Sequence, residues 1–354
     1  MRVGIGIGSG RGSWEEEAAF LREAERLGVA SAWSSEAWGF DAFTPLAYMA
    51  GKTERITLGT SIAQAGTRTP AVIAMTALTL ASLSGGRFVL GLGTSGPQVI
   101  EGWHGIPFAR AVARLRETVE IVRMALRGER VVYEGTVYRL PLPGGEGRAL
   151  KTSAPPWPVP IYLATLGPRS LEMTGELADG WIASSFMPEH ADVFLEPIRR
   201  GAARAGRSLA DLDIHAGGVV AFSDDLDNLI AARKPGFAFE IGAMGSRQRN
   251  FYKDAYARQG YGELVERVQA LWLAGRRDEA AALIPDEFVI KSNLLGTDAM
   301  VKQRIRVYRD AGVTTLRVAP AGETLAERLE TLGRLMRLVN EVNAEPVPAG
   351  DGSR

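Results

Sequence analysis

Short apolar runs rich in β-branched residues alternate along this chain with amphipathic helical stretches. That cadence restricts the fold more than any single motif, because it is the mark of βα units that lay parallel strands side by side. Eight such units can be counted. Strands are predicted at residues 3–7, 31–35, 56–62, 88–92, 160–164, 180–183, near 214–221 and at 315–318. Between them, Ser13 with Glu16 forms a capping box ahead of a helix closed by Gly28. Further helices are expected over 44–53, 70–83, 108–126, from Pro168 onward, over 298–311 and over 325–342.

Eight strand–helix units in a row predict a (β/α)8 TIM barrel with insertions. The length of 354 residues fits, exceeding the about 250 of a plain barrel by enough for added segments. Residues 131–140 alternate polar and apolar and read as a strand outside the barrel, followed by a Pro/Gly-rich loop over 141–160. Residues 224–290 carry several helical patterns without a clear strand, too long for an ordinary βα connection, and read as a helical insertion over the barrel mouth. The expected layout is one barrel domain over 1–345 with a flexible polar tail over 346–354.

Charge and composition remove several functional classes. The 41 Lys and Arg balance the 41 Asp and Glu, so no net field draws the chain to nucleic acid or an anionic membrane. No stretch approaches the about 20 apolar residues of a membrane-spanning helix. The chain has no cysteine, which excludes disulfides and thiolate chemistry. The three histidines, His104, His190 and His215, lack ligand spacing, so no metal site is expected. With no signal-peptide pattern at the start, a cytoplasmic address is expected.

In a barrel of this kind the working groups gather at the C-terminal ends of the strands. Glu36, after Ser34 and Ser35, is a carboxylate there, and Trp33, Trp38 and Phe40 either wall an aromatic ligand or pack the rim. Gly4, Gly6, Gly8, Gly10 and Gly12 lack the G-x-G-x-x-G spacing of a dinucleotide fingerprint and read better as small residues around the mouth of the first strand. The small polar residues Thr60 and Ser61, followed by Ile62, end the third strand, while Thr94, Ser95 and Gly96 leave the fourth with amides open to a polar ligand. The segment Thr165, Leu166, Gly167, Pro168, Arg169 and Ser170 runs from the fifth strand into a helix start. Its amides and dipole suit a phosphate; the plain alternative is a surface loop with an exposed arginine.

Taken together, Ser35-Glu36, Phe43-Thr44-Pro45-Leu46-Ala47 and the run from Thr53 to Thr60 resemble the bacterial luciferase-like oxidoreductases over most of the chain. The stretches Gly91 to Gln98, Glu101-Gly102-Trp103-His104-Gly105, Met244-Gly245-Ser246 and Asn250-Phe251-Tyr252 resemble the branch of that family that uses coenzyme F420. This resemblance implies a cis peptide between Ser61 and Ile62 behind the deazaflavin ring. It implies cofactor contacts from Thr94, Ser95, Gly96, Pro97 and Gln98, and phosphate contacts from Thr165, Gly167, Pro168 and Arg169. Glucose-6-phosphate dehydrogenases of the branch carry a histidine and a glutamate where this chain has Ala37 and Gly96, so that activity is not expected.

The activity expected from the resemblance is hydride transfer between coenzyme F420 and a small organic substrate, with Glu36 or His104 handling the proton. Gln64 is a third polar group expected at the mouth. The alternatives are an FMN-dependent monooxygenase of the same fold and a barrel that binds flavin without turnover. A homodimer is expected from the resemblance and from the commonness of two-fold assemblies.

Overall fold

The computed structural model describes residues 1–8, 12–245 and 250–346. Gly10, Ser246 and the tail expected to be flexible, beyond residue 346, lie outside the described residues. Eight strands form the barrel: β1 (Arg2–Gly6), β2 (Ser31–Ser34), β3 (Thr57–Thr60), β4 (Phe88–Gly93), β5 (Ile161–Ala164), β6 (Gly180–Ile182), β7 (Asp213–Ala216) and β8 (Thr315–Pro320). Each pairs in parallel with the next, and β8 returns to β1 with Arg2 opposite Thr315 and Gly4 opposite Arg317, closing the sheet. All eight C-terminal ends therefore share one rim.

Side-chain alternation along the strands divides two cores. On β1 Val3 and Ile5, and just after it Ile7, point outward into the layer packed by helices such as Trp14–Arg26 and Leu325–Asn343. Inward, Trp33, Val89, Tyr162 and Ile182 form a separate buried cluster. Trp33 stacks on Tyr162 with centroids 5.7 Å apart, and both rings meet His215 edge-on. Glycine makes room for them: a Cβ on Gly59 would lie 2.3 Å from the Trp33 ring. Beneath this layer, at the N-terminal end, Asp213 accepts from Tyr162 Oη at 2.9 Å and pairs with His215 Nε2 at 2.8 Å and Arg2 Nη2 at 2.5 Å. These partners hold its carboxyl well below the usual range despite burial. The interior is thus plugged at the bottom by paired polar groups.

Several helices match expectation, among them Pro70–Leu83 with Thr69 accepting from the Val72 amide, and the Ser13–Glu16 capping box. The long helix begins at Ala111 rather than 108, because Arg110 adopts a left-handed conformation. The expected single strand over 131–140 is a hairpin, Tyr133–Glu134 against Arg139–Leu140. Glu117 accepts from the amides of Thr136, Val137 and Tyr138 at the turn, which folds back a pattern that reads as continuous.

The seventh strand is also divided. After β7 the chain breaks at Gly217 and Gly218, where a Cβ would come 2.1 Å from Arg317 O and 2.2 Å from Ser292 O respectively. It resumes as Val219–Phe222, paired with the end of β8 and with Leu294–Gly296, a short strand not expected from the sequence. Between these strands, among the described residues, the chain is helical from Leu226–Ala231 to Asp286–Ser292, and these helices carry their own apolar cluster around Ile241, Tyr256, Val268 and Phe288. No helix among the described residues is long and apolar enough to cross a membrane.

Candidate functional site

The rim is built outward from β3. Ser61 donates its amide to Ser34 O at 2.6 Å, and the Glu36 amide reaches Ile62 O at 3.4 Å. The Ser61–Ile62 peptide is cis, as the resemblance implied. Beyond it Ala63–Gln64 runs parallel to Leu92–Gly93. Ile62 packs where Gly93 has no side chain, since a Cβ there would lie 3.0 Å from Ile62 Cγ1. Glu36, Ser61, Thr94 and Gly167 accordingly all follow the C-terminal ends of their strands.

Glu36 lies at this rim but not as a free carboxylate. Arg68 grips it with two prongs, Nη1 to Oε1 at 2.5 Å and Nη2 to Oε2 at 2.9 Å. The amides of Gln64 and Ala42 donate to the same oxygens at 2.8 and 3.1 Å. A carboxylate holding four donors is an anchor for the loop after β2. Gln64 Nε2 ties the same loop through the Glu36 and Ala37 carbonyls. Of the three aromatics near Glu36, Trp33 belongs to the barrel interior, whereas Trp38 and Phe40 are exposed, Phe40 meeting Trp14 edge-on.

After β4, Ser95 takes a left-handed conformation at φ 56°, and Gly96 and Pro97 start a single helical turn, Pro97–Ile100. No side chain caps that turn. Thr94 Oγ1 donates to Ser95 O at 3.2 Å, and Gln98 is exposed. His104 lies in the turn beyond, exposed, its ring without a hydrogen bond among the described residues. It is not brought into contact with Glu36.

After β5, Thr165 spends its hydroxyl on Thr174 at 2.7 Å and its carbonyl on Trp181 Nε1 at 2.9 Å. Its polar side chain is therefore used inside the wall. Gly167 and Pro168 open the helix Pro168–Leu177 with no side-chain cap, so the amides of Arg169 and Ser170 remain available. A Cβ on Gly167 would meet nothing nearer than Ser170 Oγ at 3.6 Å. Arg169 is exposed, and Arg258 from the insertion donates to Leu166 O at 2.5 Å, bracing the same loop.

Two further groups at the mouth escaped sequence reasoning. Glu240, on the insertion helix Lys234–Ala243, accepts from Ser185 Oγ just beyond β6 and from Tyr256 Oη at 3.4 Å. It keeps some accessible surface while protein surrounds it, as a group lining a pit does, and burial raises its pKa against the lowering effect of both hydrogen bonds. The signal was a lone acid in the run Phe-Ala-Phe-Glu-Ile. Arg317 on β8 donates to Ser61 Oγ and, at 3.3 Å, to Ala183 O; burial lowers its pKa. Its signal was a charge on an inward position of a barrel strand. Among the described residues no group of His, Cys, Asp and Glu is placed to hold a metal ion.

Residues 1–315 match the family model of the luciferase-like monooxygenases. A Mycobacterium tuberculosis protein provisionally named as a coenzyme F420-dependent oxidoreductase is 41% identical over 350 residues, 95% of this chain and all of that one. The 5,10-methylenetetrahydromethanopterin reductase of Archaeoglobus fulgidus is 27% identical over 89% of this chain and 92% of its own. The coenzyme F420-dependent tetrahydromethanopterin reductase of Methanopyrus kandleri superposes with a TM-score of 0.79 at 24% identity, over 96% of this chain and 98% of that one. A closed parallel barrel, a rim assembled from the ends of β2 to β8 and a family match across nearly nine-tenths of the residues agree: the chain belongs to the luciferase-like monooxygenase family.

Proposed function

We propose that this protein is an oxidoreductase that holds coenzyme F420 in the barrel mouth and transfers hydride between the deazaflavin and a small organic substrate. The observation that carries the reading is the uncapped helix start at Gly167 and Pro168, which opens on the same rim as a hollow lined by small residues. Gly6 is the inward position one step above Gly4, and a Cβ added to it would meet nothing within 4 Å. Gly96 is nearly as open, with Gln98 Oε1 at 3.9 Å. These are positions where bare backbone can meet a flat ring and a polar side arm. The near full-length relative named for coenzyme F420 supports the same reading.

Within it, Ser61 and Ile62 back the ring, Thr94, Ser95, Gly96, Pro97 and Gln98 line the side arm, and the amides after Gly167 with Arg169 hold the phosphate. Thr165 serves the wall behind that loop. When bound, the deazaflavin supplies a hydride donor or acceptor. The proton that accompanies the hydride falls to Glu240 rather than to Glu36 or His104, because Glu36 is saturated by Arg68 and two amides while His104 lies on an exposed turn. Burial makes Glu240 hold its proton more tightly than an ordinary glutamate, and the hydrogen bonds from Ser185 and Tyr256 fix its carboxyl in place.

Fluorescence titration of the purified chain with oxidised coenzyme F420 and with FMN tests the reading. Coenzyme F420 should bind more tightly. FMN binding far more tightly would transfer the protein to the oxygen-using monooxygenases, and tight F420 binding without hydride exchange over a broad substrate panel would mark a non-catalytic barrel.

A further inference from the structure

Strand β8 alternates across the barrel wall: Leu316 and Val318 enter the outer core, while Thr315 and Arg317 face inward. Thr315 closes the polar plug by donating to Asp213 Oδ1 at 2.9 Å. Arg317, two residues nearer the rim, spans the interior, with Nη1 donating to Ser61 Oγ after β3 and Nη2 to Ala183 O after β6. Both acceptors are neutral, so they orient the guanidinium without neutralising it. Among the described residues no carboxylate lies within ion-pair distance of it.

The acids around the interior are already engaged. Asp213 is held by Arg2 and His215, Glu36 by Arg68, and Glu240 by Ser185 and Tyr256. Arg317 keeps some accessible surface, and its register partner Gly4 lies one inward step below Gly6, above which the space is open. An enclosed guanidinium remains charged at any working pH. A desolvated charge without a counter-ion is costly. Its planar donors suit an oxyanion presented edge-on.

We propose that Arg317 is an anion-recognition residue on the floor of the barrel mouth, and that the deepest end of the bound ligand carries an anionic oxygen. This deepens the coenzyme F420 reading and rests on it. The charge has two sources: the pyrimidine edge of the reduced deazaflavin, or a carboxylate or phosphate on the substrate.

Arg317→Gln and Arg317→Lys distinguish them, with oxidised coenzyme F420, benzoate and inorganic phosphate as probes. If the cofactor carries the charge, Arg317→Gln weakens the reduced form at least tenfold relative to the oxidised one. The potential of the bound two-electron couple then falls by about 30 mV or more, and Arg317→Lys recovers most of the loss. If the substrate carries it, the potential stays put. Benzoate or phosphate then binds the F420-loaded Arg317→Gln protein at least tenfold more weakly, again restored by Arg317→Lys. A folded Arg317→Gln protein that binds oxidised F420 normally and shows neither change overturns the inference but not the F420 reading. Should the wild type fail to bind F420, that reading falls, and the anion site is judged by whether benzoate or phosphate raises the Tm of the wild type more than that of Arg317→Gln. Should Arg317→Gln not fold, the wild type decides: equal affinity for both redox forms, with no rise in Tm from either anion, overturns it.

Discussion

Arg68 clasps Glu36 through both guanidinium nitrogens, at 2.5 and 2.9 Å, and so converts the most conspicuous carboxylate of the barrel mouth into a fastening between the loops after β2 and β3. Glu36 is 8% exposed and Arg68 24%. Removing one partner of a buried pair strands the other, at about 3–5 kcal/mol. Arg68→Ala should therefore lower stability by about 3 kcal/mol, the lower end of that range, because Arg68 keeps some water contact. Urea unfolding measures it, and an unchanged midpoint would remove the fastening role.

The phosphate assignment is tested at Arg169. Its side chain adds one charge-assisted contact to the amides of the helix start, worth about 1.5–3 kcal/mol. Arg169→Ala should weaken coenzyme F420 about tenfold or more without abolishing binding, as read by fluorescence titration. No change would place the phosphate elsewhere.

Glu240 should leave a trace in the pH dependence of stability. Below about pH 4.3, the ordinary glutamate value, folded and unfolded chains both hold the proton and the group is silent. Above it the unfolded chain ionises while buried Glu240 does not, so wild-type stability falls with rising pH until the folded carboxyl ionises. Glu240→Gln should be gaining on wild type from about pH 5 upward. Urea midpoints of both proteins across pH 4–8 check this, and parallel curves would refute the raised pKa. The same substitution should slow hydride transfer from reduced coenzyme F420 to an accepted substrate by about 10²–10⁴, and the pH–rate profile should lose the alkaline limb that marks loss of a proton donor.

Two glycines separate packing from access. A Cβ at Gly91 would fall 1.9 Å from Thr60 O, so Gly91→Ala must push two strands apart and should cost at least about 1–3 kcal/mol. Gly6→Ala meets open space and should stay within about 0.5 kcal/mol of wild type, while Gly6→Leu should fold yet bind coenzyme F420 poorly. Thermal melts and titration read the two effects. Normal F420 binding by Gly6→Leu would mean that the hollow at β1 is not the cofactor site.

The helix Pro70–Leu83 carries no charged residue, and Val72, Met75 and Leu83 are 46%, 62% and 59% exposed on it. A helix apolar on all sides is normally covered. The expected homodimer would cover it with a second copy. Light scattering at micromolar concentration should then report a dimer for wild type and a monomer for Met75→Glu; a wild-type monomer would exclude this assembly.

Much of this architecture was written locally. Alternation of apolar runs with amphipathic stretches identified the barrel because each element must bury one face whatever its neighbours. Ser13 and Pro168 marked helix starts because capping is decided within a few residues. Where a local signal was continuous across a break it misled, as over 131–140 and 214–221. There a turn held by distant Glu117 and a close approach of the Gly217–Gly218 backbone to β8 and Ser292 divided what read as one strand.

The chemistry of the mouth depended on contacts across the closed sheet. Nothing near Glu36 announces that Arg68, 32 residues later, will occupy both its oxygens, nor that Ser185 will meet Glu240, 55 residues on. Arg317 and Ser61 are 256 residues apart and touch only because β8 returns to β1. Sequence patterning establishes which face of an element is buried. Which charged groups are paired, and which are left for a ligand, follows from the closure of eight strands that brings distant side chains within about 3 Å of one another.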